Sequence, residues 1–426
     1  MRILSSLLMA ALFLLIGGCN KPANQQNSFQ IKDKELFSSV KNRALQIVGT
    51  GFTAGDSYGE VWIRDFNTFI ELALDAVDEK TVEEGLTVFF RMQGLDGNIL
   101  DGYIPVEKAQ AGYDYLHFDL EPRYAGHKNT VETDQETSLV QAVYKYVKKT
   151  GHNDYLNTVV GDKTVKERMA MALEYLMNHR YSGRYGLIWG ATTADWGDVQ
   201  PEHEWGVYLT QDTHYAIDIY DNAMFLIAIQ NYLELVPEDQ NQWKPVHDQI
   251  AANTRKHLWD EANQKYIPHI YLNGSPFADS LDENQIYYHG GTAVAIEAGL
   301  LSHDEIATSL QKMVANVKAS GAATIGLTLY PTYPLGSFKG VGMYPYGYQN
   351  GGDWTWFGAR MIQQLIHHGF VEDAYREFLP MLQRIEANNG FFEWYSEKNE
   401  PKGSGTFRGE AGVVYKAIQM FEALEK

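Results

Sequence analysis

Cysteine is almost absent from this 426-residue chain: Cys19 is the only one. Disulfides within the body and thiol catalysis are therefore excluded. Basic residues are outnumbered, 35 against 54 acidic, for a formal net charge of −19. They gather in no patch, so nucleic acid is not expected as a partner. None of the 13 histidines falls in a His-x-x-Glu-His pattern, and no catalytic metal is expected. There is no Gly-x-Ser-x-Gly elbow and no glycine loop of the kind that cradles phosphate. Strand-type alternation is scarce, and no repeat of fixed period runs through the chain.

Long apolar runs are also missing. The run over residues 4–16 is too short to span a bilayer as a mature helix. It follows the basic start Met1-Arg-Ile and leads into Ile16-Gly-Gly-Cys19, which has the form of a lipobox. The expectation is a signal peptide over 1–18, lipidation at Cys19, and a flexible Asn/Gln/Lys-rich tether over 19–34. A plain secretory signal is the alternative. The protein is thus expected to be an exported bacterial lipoprotein, held by a lipid anchor and facing the periplasm or the cell surface at the outer membrane. Export removes it from cytosolic ATP and NAD(P)H, and no cofactor is expected.

What the chain does have is helical period and aromatic side chains. Apolar spacing predicts about a dozen helices, near 34–48, 67–77, 81–93, 133–150, 163–179, 213–235, 240–259, 291–299, 302–319, 354–368, 371–388 and 409–424. Ser302-His-Asp-Glu305 reads as a capping box for the ninth. The helices fall into pairs joined by short links, with longer loops over 51–65, 96–132, 181–211 and 322–353. Six such hairpins closed into a ring give an all-α (α/α)6 toroid. An open solenoid ranks second. No linker divides residues 35–426, which are expected to form one catalytic domain.

Aromatics make up 13% of the chain, with 27 Tyr and 9 Trp. Indole and phenol rings combine an apolar face with a polar tip, which suits the C–H face and the hydroxyls of a sugar. Four loop segments set such rings beside carboxylates. Gly59–Asp65 offers Trp62, Arg64 and Asp65 as substrate-binding residues, although an Arg64–Asp65 ion pair at a helix start would account for two of them. Residues 187–198 offer Trp189, Trp196 and the carboxylates Asp195 and Asp198. One of these two acids is expected to be a general acid, with Asp195 the first choice, since burial beside an indole and a second carboxylate raises a pKa. Residues 348–356 offer Gln349, Asn350, Asp353, Trp354 and Trp356 for binding. Glu393, between aromatics and next to Trp394, is the candidate general base; Glu397, Glu400 and Glu410 are its rivals. Asp134 is a weaker candidate, because a helix dipole explains acids at its position. The segment 96–102 lacks the ligand spacing of an EF-hand.

The order and spacing of these segments resemble the six-hairpin glycosidase superfamily. Gly59–Asp65 resembles the W-x-R-D segment of bacterial exo-α-1,6-mannosidases and debranching-type α-glucosidases. Tyr348–Trp356 resembles the Q-N-G-G-x-W-x-W loop of the superfamily. Residues 391–405 resemble the base-bearing segment of the processing α-glucosidase and mannosylglycerate hydrolase group. The resemblance implies an inverting glycosidase, exo-acting on α-linked oligosaccharides or glycans, with a mid-chain acid (Asp195 or Asp198) and Glu393 as base. A silent glycan-capturing surface protein and a polysaccharide lyase on a similar toroid are the alternatives.

Overall fold

The computed structural model describes residues 29–109 and 114–425. The signal peptide, Cys19 and tether residues 20–28 lie outside the described residues. The last part of the expected tether is not loose. Ile31 is buried, its N–H donates to Glu425 Oε1 at 2.7 Å, and the Phe29 ring packs on Tyr375 and Phe421. An apolar pair in an otherwise polar stretch docks it onto the body.

Twelve α-helices follow: α1 (Lys34–Val48), α2 (Ile63–Ala76), α3 (Glu79–Arg91), α4 (Gln135–Thr150), α5 (Val165–His179), α6 (Ile219–Leu235), α7 (Gln240–Leu258), α8 (His289–Glu297), α9 (His303–Ser320), α10 (Thr355–His367), α11 (Val371–Ala387) and α12 (Arg408–Leu424). Local chemistry sets several ends. Thr164–Glu167 and Ser302–Glu305 form reciprocal capping boxes on α5 and α9. Gly321, at φ 80°, closes α9 in the left-handed conformation that glycine adopts without strain.

The even-numbered helices form an inner ring. In it α2 packs on α4, α4 on α6, α6 on α8, α8 on α10, α10 on α12, and α12 returns to α2. The odd-numbered helices lie outside, as in an (α/α)6 toroid. Burial separates the two layers: α8 buries eight of its nine residues, whereas α9 buries four of eighteen. A helix apolar all round belongs inside, and a one-sided helix belongs at the surface. Where α12 meets α2, Gly412 is required, because a Cβ there would run into the Phe69 backbone and the Thr68 carbonyl.

Short strands, barely signalled by any alternation in the chain, lie mostly at the end of the ring where the inner helices begin. Val61–Trp62, Gly102–Pro105, Glu121–His127 and Leu116–Phe118 make an antiparallel sheet in that order. Residues 213–218, expected to open α6, instead carry the strand Tyr215–Ile217, paired with Gly190–Ala191 and Ile270–Tyr271. Likewise α2 begins at Ile63 rather than near 67. The first turns of the inner helices meet at this end. Arg64 of α2 bonds Asp134 before α4 at 2.6 Å, and Tyr220 of α6 donates to the same carboxylate at 2.6 Å. Converging helix N-termini present unpaired N–H groups and partial positive charge, a setting that holds carboxylates.

Candidate active site

At that end the inner helices and their loops enclose a cavity of about 140 Å³. One side is the entry to α2, which supplies Trp62, Arg64 and Asp65. Arg64 is fully engaged, with Nε on Asp134 at 2.6 Å and Nη2 on Glu132 at 2.8 Å. Asp65 is buried, and its Oδ1 has no hydrogen-bond partner among the described residues. Burial holds the Asp65 carboxyl well above its ordinary range. The Arg64 charge opposes this, and Glu393, Asp101 and Asp198 add to it.

The sheet and the segment after it form the next wall, with Asp101, His127, Asn129 and Glu132. Burial pushes Asp101 up to about 7. It pushes His127 down to about 4, helped by the Lys128 charge, so the imidazole is neutral near pH 7. Among the described residues Arg64 is therefore the sole cation on the cavity wall, and it is already paired.

Asp195 and Asp198, three residues apart, part company. Asp198 lines the cavity. Its Oδ1 accepts from Gln349 Nε2 at 2.7 Å, and its backbone N–H donates to Gln349 Oε1 at 3.3 Å. Asp195, the first choice for the acid, does not line the cavity. The left-handed backbone at Asp195 (φ 56°) turns its carboxylate to the start of α8, where it accepts from the Gly290 and Gly291 N–H groups, both at 2.7 Å. Both oxygens are thus spent on a helix N-terminus.

The aromatic wall is Trp196, Tyr348, Trp354 and Trp356, with Gln349 at its edge. These rings also support one another. Trp196 stacks on Phe357 at 4.3 Å and meets Trp354 edge-on at 4.8 Å. Trp354 Nε1 donates to the Tyr348 carbonyl at 3.0 Å, and Trp356 Nε1 to Thr68 at 3.1 Å.

Glu393 closes the cavity beside Tyr58 and Phe407. The Tyr58 hydroxyl donates to Oε1, and the Ser404 N–H donates to Oε2 at 3.1 Å. Burial raises the Glu393 pKa; those two donors pull it back, and the Asp198 charge raises it again. Gly403, at φ 71°, leaves room for the carboxylate, which a Cβ would strike. Asp198 and Glu393 thus sit on one cavity.

Four further expected site residues lie off the cavity. Trp189 sits under the Arg180 guanidinium at 4.9 Å and against Tyr215. Asn350 is buried and ties its own loop together, bonding the Tyr333 N–H and carbonyl and the Met343 carbonyl. Asp353 is spent on Arg384 at 2.8 Å and on the Thr324 hydroxyl and N–H. Trp394 is buried in a strand paired with Lys402. The cavity adds residues that reading the sequence does not select: Tyr58, Asp101, His127, Asn129, Glu132 and Tyr348. Tyr58 immediately precedes one of the aromatic segments, and Tyr348 opens another. Asp101 stands in the segment compared with a calcium loop, and Glu132 among the acids that the dipole of α4 explains.

Comparison with known proteins fits this geometry. Residues 43–380 match the model of the glycosyl hydrolase 94 superfamily, catalytic domain. An N,N'-diacetylchitobiose phosphorylase of Vibrio proteolyticus is 24% identical over 194 residues, 43% of this chain. That match spans 22% of the phosphorylase, so the chain matches about a fifth of this curated relative's length. Among solved structures, a GH63 mannosylglycerate hydrolase from Thermus thermophilus, in complex with glucose, superposes with a TM-score of 0.62. It is 15% identical, over 90% of this chain and 99% of that one. A rhamnosidase from Klebsiella oxytoca with rhamnose bound gives 0.60 at 12% identity, over 92% and 65%. The closed ring of six hairpins is the fold of a six-hairpin glycosidase, and the chain belongs to the glycosyl hydrolase 94 superfamily.

Proposed function

We propose that this protein is an inverting glycoside hydrolase that removes single sugars from the ends of α-linked glycans, with Asp198 as general acid and Glu393 as general base. The observation that carries the reading is the pair itself: Asp198 and Glu393 line one cavity, Asp198 held by Gln349 and Glu393 by Tyr58 and the Ser404 N–H. In an inverting site two carboxyl groups stand roughly 6.5–9.5 Å apart with water between them. The Asp198 carboxyl gives its proton to the glycosidic oxygen as the C–O bond breaks. Glu393 takes a proton from the water whose oxygen bonds to the anomeric carbon from the opposite face. Exchange with solvent then resets both groups. The Tyr58 hydroxyl and the Ser404 N–H stabilise the ionised form of Glu393 that this step needs.

Exo action rests on the resemblance of Gly59–Asp65 to the segment of exo-α-1,6-mannosidases. The α preference rests on the resemblance of Gly59–Asp65 to α-glycosidase segments. Phosphorolysis is the second reading, favoured by the likeness to a chitobiose phosphorylase. Charge opposes it. An incoming phosphate would find no unpaired cation among the described lining residues, because Arg64 is already paired with Glu132 and Asp134. For location we propose export and lipidation at Cys19; a wild-type mass carrying acyl chains that Cys19→Ala lacks is the expected result.

The test is a panel of α- and β-glycosyl fluorides, aryl glycosides and natural oligosaccharides, assayed without and with inorganic phosphate. Phosphate-independent release of a monosaccharide is expected, reduced about 10³-fold in Asp198→Asn and in Glu393→Gln for natural substrates. Inactivity over the whole panel, or strict dependence on phosphate, contradicts the proposal.

A further inference from the structure

A carboxylic acid has one oxygen that accepts hydrogen bonds and one that carries the proton, and a donor lodged on either decides which is which. In Asp198 a single side chain makes that choice. Gln349 Nε2 donates to Oδ1 at 2.7 Å, and among the described residues no other hydrogen bond reaches the Asp198 carboxylate. The amide cannot be turned over. Its other end meets the Asp198 backbone N–H at 3.3 Å. A backbone N–H only donates, so the atom there is Oε1 and the group on the carboxylate is the NH2. Oδ1 is thereby the acceptor, and Oδ2 is left for the proton.

Both sides of this contact are held. On the Asp198 side, Asn129 Nδ2 donates to the Asp198 carbonyl at 2.9 Å. Gly197 lets the amide come close, since a Cβ there would lie 3.0 Å from Gln349 Oε1 and 2.9 Å from the Ala194 carbonyl. On the other side, Gln349 is buried on a tight turn that Tyr348 enters with a left-handed backbone, φ 38°. The Asn350 N–H donates to the Gly347 carbonyl at 2.8 Å, and the Gly352 N–H to the Tyr348 carbonyl at 3.0 Å. Asn350 ties the turn to Tyr333 and Met343. The two neighbouring amides thus divide the work: Asn350 secures the loop, and Gln349 reaches the acid. A carboxamide is also neutral, so it fixes Oδ1 without the full positive charge by which Arg or Lys favours an ionised carboxylate.

We propose that Gln349 is a positioning residue for the general acid, holding Oδ1 of Asp198 so that the proton given to the glycosidic oxygen is carried on Oδ2. Its place in the site is then beside the departing oxygen, through Asp198, and not on the sugar itself. The proposal rests on the hydrolase reading, in which Asp198 is the acid, and deepens it. A positioning role has a signature that sugar binding lacks. Fluoride departs with little help from a proton donor, whereas a sugar hydroxyl does not, so a misplaced acid costs rate only where the leaving group needs its proton.

Wild type, Gln349→Leu and Gln349→Glu are assayed on a glycosyl fluoride and on the disaccharide of the same glycone, without and with inorganic phosphate. Thermal melting gives the folded fraction of each, and if Gln349→Leu does not fold, Gln349→Glu, closer in size, carries the same comparison. The expected result is a fall in kcat on the disaccharide of about 10- to 100-fold, with its KM and the fluoride kcat/KM each within about threefold of wild type. Gln349→Glu sets an acceptor against Oδ1 and draws the proton there, so its loss on the disaccharide is expected to be at least that of Gln349→Leu. Equal losses on both substrates, a loss confined to KM, or no loss overturns the positioning role. Cleavage by wild type that strictly requires phosphate overturns the hydrolase reading alone, because the departing oxygen needs a proton in either reaction and the selective loss still decides Gln349. Wild type inactive on both substrates overturns the reading and the acid's positioning with it.

Discussion

Tyr58 and Glu393, 335 positions apart in sequence, are joined by a hydrogen bond from the phenol to Oε1. The bond acts on the electrostatics of the cavity. Burial lifts the Glu393 pKa, and the Tyr58 hydroxyl is the largest of the influences that lower it again. Tyr58→Phe removes that donor and little else. The Glu393 pKa then rises further, and the base is ionised only at higher pH. The acid limb of the kcat/KM profile is expected to move to higher pH, with kcat near neutrality reduced about tenfold or more. An unmoved acid limb would show that Glu393 is not the titrating base.

Asp195 and Asp198 give a paired test of chemistry against structure. In Asp198→Asn the proton donor is lost, and kcat on natural glycosides is expected to fall about 10³-fold with little change in Tm. In Asp195→Ala the Gly290 and Gly291 N–H groups, both at 2.7 Å in the wild type, lose their acceptor. At ~1–3 kcal/mol for a buried group left unsatisfied, Tm is expected to fall by several degrees, while the folded fraction keeps kcat within about tenfold. Kinetics and melting of both variants check this. An Asp195 variant that is stable but inactive would reverse the assignment.

Stability should also carry a mark of the buried acids. Burial pushes Glu410, at the start of α12, up to about 8, far above the ~4.3 of an unfolded chain. Its folded form therefore binds a proton more readily than its unfolded form. That contribution to stability is full below pH ~4.3 and is lost as pH rises through about 8. Glu410→Gln stays neutral throughout. Melting from pH 4 to 9 is expected to show a smaller decline with pH in the variant than in the wild type. Part of the decline should remain, because burial also pushes Asp195 up to about 8 against the pull of the Gly291, Gly290 and Trp196 N–H groups. Identical slopes would place Glu410 in an ionised state in the fold.

How far the sequence can be read follows from which interactions are local. The helices are legible because apolar spacing and boxes such as Ser302–Glu305 act within a few residues. The ring is legible from the alternation of short links and long loops. Trp62, Trp354 and Glu393 stand out because each lies in a segment dense in aromatics and carboxylates. Asp195 and Asp198 share one such segment, and composition does not separate them. What does is the left-handed turn at Asp195 and the start of α8, some 95 residues on. Asp353 and Asn350 mislead for the same reason, since their partners Arg384 and Tyr333 are remote in sequence. Asp101, His127 and Asn129 reach the cavity from just before, on and just after strands of one short-stranded sheet. Two to seven residues per strand give alternation too little length to register.

The most direct measurement is proton NMR of the first-formed product from whichever panel glycoside is cleaved, recorded before mutarotation and with inorganic phosphate present. The expected product is a free monosaccharide of the anomer opposite to the substrate's, with its formation abolished in Glu393→Gln. A sugar 1-phosphate, or a free sugar of the same anomer as the substrate, would contradict single displacement by water between Asp198 and Glu393.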